Sequence, residues 1–90
     1  FSFAPGFPNP FLTRTQLSYV LPATGAVRVA IFDLRGHLVR ELVNGTEAVG
    51  PHTVFWDGHD GRGLRAAAGV YYARVVHEGL TRNQKIVVLK

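Results

Sequence analysis

Apolar and polar residues alternate along this chain in short stretches, and each stretch runs into a cluster of glycine, proline, asparagine or aspartate. A period of two sends successive side chains to opposite faces of a strand, so a stretch of this kind can bury one face only within a sheet. No segment sustains the 3.6-residue period of an amphipathic helix. Six or seven short strands, with turn signals every ~8–12 residues, is the pattern of an all-β antiparallel sandwich.

Taken in order, Thr15 to Leu21 reads as a strand, with Leu17, Tyr19 and Leu21 alternating against Gln16, Ser18 and Val20. Ala26 to Phe32 is the clearest strand, with Val27, Val29 and Ile31 on one face and Arg28, Ala30 and Phe32 on the other. Asp33-Leu34-Arg35-Gly36 fits a type I turn whose aspartate bonds forward to the backbone and whose glycine accepts positive φ. His37 to Val43 is the hairpin partner, Asn44-Gly45 a second turn signal, and Thr46 to Pro51 a polar connector. His52 to Asp57 is a strand with Val54 and Trp56 facing the core. Gly69 to His77 places Tyr71, Ala73 and Val75 on one side and Val70, Tyr72, Arg74 and Val76 on the other. Glu78-Gly79 turns into a final strand ending Ile86-Val87-Val88-Leu89-Lys90.

Between the strand that ends at Trp56-Asp57 and the strand that begins at Gly69 lies Trp56-Asp57-Gly58-His59-Asp60-Gly61-Arg62-Gly63, rejoined at Gly69-Val70-Tyr71-Tyr72. A large apolar residue closes one strand, glycines and aspartates break the chain, and an aromatic strand restarts. Trp56, Asp57, Gly58, Gly69 and Tyr71 are therefore expected to determine the fold. Trp56 is the central core residue, and Tyr71 is placed like a tyrosine corner, whose hydroxyl bonds back to nearby backbone.

The chain divides into a Phe/Pro-rich arm, residues 1–11, and a sandwich domain, residues 12–90. Four Phe and three Pro crowd the arm, so it is neither helix nor central strand. Phe7 and Phe11 are placed to plug one end of the core, while Phe1 and Phe3 are free to dock on a neighbour. Phe1, Phe3 and Phe7 are counted as candidate protein-contact residues.

Ninety residues make one domain, enough for a single core. The chain begins at Phe1 rather than Met, which reads as a fragment or processed product. No apolar run approaches the ~20 residues needed to span a bilayer. The net charge of +4 rests on eight arginines scattered between apolar positions, which suits a solvated sheet face better than a nucleic-acid stripe. Cysteine is absent, excluding disulfides and thiolate metal sites.

Candidate chemistry is sparse. Asp57, His59 and Asp60 lie in a glycine-rich loop, but calcium needs six to eight oxygen ligands and no bidentate glutamate follows, so the aspartates are expected to bond loop backbone groups. His37, His52, His59 and His77 never show zinc spacing and read as surface residues at strand ends. The two serines lack a nucleophile-elbow context, and the six carboxylates offer no acid–base pair. Asn44-Gly45-Thr46 matches a glycosylation acceptor and indicates an exposed loop. No metal, no cofactor and no catalytic residue is expected; the chain does not read as an enzyme. Phe32, Phe55 and Tyr72 alternate away from the core set and are the remaining candidate contact residues.

Pro8-Asn9-Pro10-Phe11, then Val27 to Arg40 with its Phe32-Asp33-Leu34-Arg35-Gly36 turn, then Trp56-Asp57-Gly58, Gly69-Val70-Tyr71 and Lys85 to Leu89, follow one another in the order of a familiar bacterial module. The chain resembles the immunoglobulin-like domain of the flagellar hook-capping protein, and equally the C-terminal sorting domains of type IX secretion substrates. The resemblance implies an immunoglobulin-like (fibronectin III-like) sandwich of about seven strands. It also implies a non-catalytic C-terminal module of an exported protein, extracellular or at the cell surface, with a protein partner in sorting or anchoring. The alternative is a self-assembling structural subunit whose arm adds to a neighbour's sheet edge, giving a homo-oligomer.

Overall fold

The computed structural model describes all residues from Phe1 to Lys90. Its strands are β1 (Ser2–Phe3), β2 (Thr15–Leu21), β3 (Gly25–Phe32), β4 (Leu38–Glu47), β5 (Gly50–Trp56), β6 (Gly69–His77) and β7 (Leu80–Val88). They form a three-stranded sheet, β1-β2-β5, and a four-stranded sheet, β4-β3-β6-β7. All ladders are antiparallel, and the all-β, two-sheet, seven-strand architecture is the expected one. No helix is long and apolar enough to cross a membrane.

The inner faces are those picked out by the alternation. Leu17, Tyr19 and Leu21 of β2 meet Val27, Val29 and Ile31 of β3 and Tyr71, Ala73 and Val75 of β6 in one buried cluster. Trp56 is fully buried among them, its ring edge-on to Phe11 and to Tyr71, each 5.5 Å away. Tyr19 ties the two sheets by donating its hydroxyl to the Glu47 carboxylate of β4. Burial, reinforced by that carboxylate, raises the Tyr19 pKa.

The structure departs from expectation at β4. Asn44-Gly45 is not a turn but strand, paired with Arg28 and Val27 of β3. A full-length partner strand offers ladder bonds that outweigh the local turn preference. The chain instead reverses at Ala48-Val49, where the Val49 N–H donates to Thr24 Oγ1 at 3.0 Å, so the expected Thr46–Pro51 connector is largely strand. His77 is also corrected. It is buried rather than a surface residue, because it continues the inward parity of Tyr71, Ala73 and Val75, and its Nδ1 lies 3.0 Å from the Ala26 carbonyl.

Residues 1–11 close one flank of the sandwich. β1 pairs with the edge of β2, and Phe7 exchanges two backbone hydrogen bonds with Gln16, at 3.1 and 2.7 Å. The chain then crosses to the other sheet and covers the edge of β7. Pro8 and Pro10 have no N–H to give, and the Asn9 side chain substitutes for a strand residue. Its Nδ2 donates to the Lys85 carbonyl at 2.8 Å while its Oδ1 accepts from the Val87 N–H at 2.9 Å. Phe11 completes the seal, its backbone bonding Val87 and Leu89 at 3.0 and 2.9 Å.

Register decides where the arm's rings point. Cross-strand partners share a face, so Phe3, opposite Tyr19, enters the core, whereas Phe7, opposite outward-facing Gln16, stays 76% exposed. Phe3 is therefore not a free docking group, and of the two expected plugs only Phe11 fills that role. Phe1 is half-buried, edge-on to His77 at 5.9 Å.

Phe3→Ala is expected to lower unfolding free energy by about 3–5 kcal/mol. Asn9→Ala, which orphans the Val87 N–H and the Lys85 carbonyl, is expected to lower it by about 1–3 kcal/mol, and Phe7→Ala by no more than about 0.5 kcal/mol. Urea denaturation of the three variants checks the order; Phe7→Ala costing as much as Phe3→Ala would contradict the register.

Candidate protein-contact surface

The Trp56–Gly63 corner is built by short-range capping. Asp57 Oδ1 accepts the His59 N–H at 2.9 Å, and Asp60 Oδ1 accepts those of Arg62 and Leu64 at 2.9 and 3.0 Å. The Trp56 indole N–H donates to the His59 carbonyl at 3.0 Å, which fixes the loop onto the core. Tyr71 donates its hydroxyl to the Ala67 carbonyl at 2.6 Å, four residues back along the connector. At the other hairpin, Asp33 Oδ1 accepts the N–H groups of Arg35 and His37, both at 2.9 Å.

These bonds favour the ionised carboxylates. The His37 and Arg35 N–H groups hold Asp33 below the usual carboxylate range, and those of Leu64 and Arg62 do the same for Asp60. Burial pushes Asp57 up, but the His59 N–H and the charges of His59 and Arg40 together outweigh it and leave its pKa lowered.

Two arginines that read as solvated surface residues turn out to hold the corner. Arg40 reaches from β4 to the carbonyls of His59 and Asp60, at 3.3 and 3.4 Å. Arg65 donates to the Asp57 carbonyl at 3.1 Å and to the Leu12 carbonyl, with a longer contact of 3.4 Å to Leu89. It thereby joins the corner to the residue that follows the arm and to the residue that follows β7. Nothing in the local pattern marks Arg65, since two of its three partners lie 53 and 24 residues away. The one trace is Gly58, at φ +79°, where an added Cβ would come within 2.8 Å of the Arg65 guanidinium.

The candidate contact residues do not form one cluster. Phe55 is on β5 of the three-stranded sheet, while Phe32 and Tyr72 are paired neighbours on the opposite side of the sandwich. Phe55 is 45% exposed with the Arg14 guanidinium 4.4 Å above its ring. On the four-stranded sheet, Phe32 is half-buried beneath Arg74 at 4.6 Å and Arg28 at 5.9 Å, and Tyr72 is exposed. Ala30, which shares the outward parity of Arg28 and Phe32, is nevertheless only 1% exposed.

The order of elements, the capped Trp–Asp–Gly corner and the arm on two sheet edges are the features by which known relatives can be compared. A family model for the FlgD Ig-like domain matches residues 13–79. The chain belongs to the FlgD Ig-like domain family. Its sandwich is accordingly immunoglobulin-like. FlgD from P. aeruginosa shares 29% identity over 82% of this chain and 59% of its own, with a TM-score of 0.59. Dimeric latent PorU from Porphyromonas gingivalis matches 99% of this chain with 10% of its own, at 22% identity and a TM-score of 0.74. PorZ of the same organism, an essential bacterial surface component of the type-IX secretion system, matches 94% of this chain with 11% of its own, at 20% identity and a TM-score of 0.62. PorU and PorZ share the fold; this FlgD Ig-like chain spans only part of each of these proteins. Among curated proteins, none matches the chain.

Arg65→Lys keeps the charge but not the fork that reaches several carbonyls at once, and is expected to cost about 1–3 kcal/mol. Gly58→Ala, strained at its positive φ, is expected to cost about 1–2 kcal/mol. Thermal unfolding of both measures the clamp, and a wild-type Tm for Arg65→Lys would refute it. Because the Asp33, Asp57 and Asp60 pKa values are lowered on folding, their contribution is complete above about pH 5, a unit over the unfolded value, and is lost as pH falls through the folded values. Tm should be flat from neutral pH down to roughly pH 5 and fall below it, and Asp33→Asn/Asp60→Asn should flatten that fall.

Proposed function

We propose that this chain is a non-catalytic immunoglobulin-like module, at the C-terminal end of a larger exported or cell-surface bacterial protein, that works by protein contact in sorting or anchoring. The observation that carries the reading is the division of labour among side chains. The loop carboxylates, Trp56, Tyr71, Arg40 and Arg65 bond backbone groups and hold the sandwich together. Phe7, Phe55 and Tyr72, by contrast, present large ring surface outward. Exposed aromatics held on rigid strands suit contact with another protein. Membership in the FlgD Ig-like family, and the likeness to segments making up a tenth of much longer proteins, support a modular role.

The assembly alternative takes a narrower form than the sequence suggested. Phe3 and Phe11 already fill this chain's own core, so an arm that engaged a neighbour would do so by exchange between two copies.

The test is to fuse residues 1–90 to the C-terminus of an exported reporter in a bacterium with type IX secretion. Reporter at the cell surface or in the medium is expected with the intact domain, and its loss with the domain deleted or unfolded by Trp56→Ala. Equal delivery with and without the domain would sink the sorting reading. A concentration-dependent dimer of the isolated chain, abolished by deleting residues 1–7, would favour arm exchange.

A further inference from the structure

The outer face of the four-stranded sheet carries one cation whose geometry is fixed while its binding edge stays free. Register aligns this face in rows across β3, β6 and β7. Phe32 lies opposite Tyr72, and Tyr72 opposite Lys85; Ala30 lies opposite Arg74, and Arg74 opposite Asn83. The Arg74 guanidinium lies 4.6 Å from the centre of the Phe32 ring, and its Nε donates to Asn83 Oδ1 at 3.1 Å. Stack and hydrogen bond together orient the guanidinium plane. Its two terminal nitrogens make no hydrogen bond and no ion pair within the chain.

Charge on this face is not balanced internally. Glu41 is bonded to Arg28 at 2.8 Å and to Asn44 at 3.2 Å, so its carboxylate is engaged. Asp33, at the rim, accepts two backbone N–H groups and lies 3.4 Å from His37. Arg74 and Lys85 are left without a carboxylate partner. Beside Arg74 a shallow cavity of about 300 Å³ opens between Phe32, Tyr72 and the Asp33–Gly36 turn.

We propose that Arg74, braced by Phe32 and Asn83 with Tyr72 and Lys85 alongside, is a docking point for a carboxylate in an acidic segment of a partner protein. The proposal deepens the protein-contact reading and rests on it. A planar guanidinium with both terminal nitrogens free accepts a carboxylate through two parallel N–H···O bonds, which a lysine cannot reproduce. The stack on Phe32 limits the rotamer freedom lost on binding, and an adjacent aromatic platform favours a side chain next to the acidic one. A positively charged sheet face with exposed rings is complementary to an acidic, partly apolar surface.

The test uses the intact 90-residue chain with a Glu- and Tyr-containing acidic peptide as probe, followed by NMR. Saturable shifts are expected at Phe32, Tyr72, Arg74 and Asn83, and the Gln-for-Glu version of the peptide should bind roughly 10-fold more weakly. Arg74→Gln and Arg74→Lys should each weaken the acidic peptide by about 5–10-fold, while Arg62→Gln, which removes the same charge elsewhere, should change it little. Circular dichroism and Tm confirm that each variant is folded. Equal loss with Arg62→Gln, equal binding of the Gln peptide, or an equally strong response at the same residues to a sulfated glycan of matched charge would overturn the docking point. Within the reporter fusion, Arg74→Gln separates the two readings. Normal delivery by Arg74→Gln with failure on domain deletion leaves the module reading standing and removes the docking point.

Discussion

The packing of Trp56 against Phe11 and Tyr71 is the contact on which the rest of this sandwich depends. Each ring comes from a different part of the chain: the end of β5, the end of the N-terminal arm, and the start of β6. A domain of this size has one core and little redundancy in it. When those three rings meet, they fix where the arm ends, where the corner turns, and where the second sheet takes up its last strands. The Trp56 N–H then positions the corner loop through His59, and the Tyr71 hydroxyl holds the connector through Ala67. The polar atoms on the Trp56 and Tyr71 rings thus convert burial into loop geometry.

Edges are the second constraint. Two stacked sheets leave four edge strands, and unpaired edge groups invite other chains. Here one flank is closed by the chain itself, through β1 and Phe7 on β2 and through Asn9 and Phe11 on β7. Arg65 anchors the junction of that seal with the corner. The arm belongs to the architecture as much as to any interaction surface, and the outward-facing rings are distributed over both sheets.

The strands, their inward faces, the type I turn at Asp33–Gly36 and the central place of Trp56 were legible because each depends on local alternation or on one or two turn residues. His77 was legible in principle, since it shares the parity of Tyr71, Ala73 and Val75, but a polar residue at a strand end reads as surface. Asn44-Gly45 misleads because a dipeptide preference of about 1 kcal/mol or less competes with a strand partner present along its whole length. The bonding roles of Arg65 and Asn9 were not legible in the local pattern. Their partners lie 53, 24 and 8 residues away for Arg65, and 76 and 78 for Asn9.

What the sequence determined by itself is the set of strands and which of their faces are apolar, because period-two patterning and turn chemistry act over a few residues. What only the tertiary structure decided is the fate of individual side chains: Phe3 inside and Phe7 outside, Arg65 as a clamp, Phe55 separated from Phe32 and Tyr72, Arg74 stacked with its terminal nitrogens free. Those outcomes depend on register and on which edges meet, and a one-residue difference in register sends a side chain to the opposite face. Pairing between distant segments sets register here, which is why the fold could be read along the chain and the surface could not.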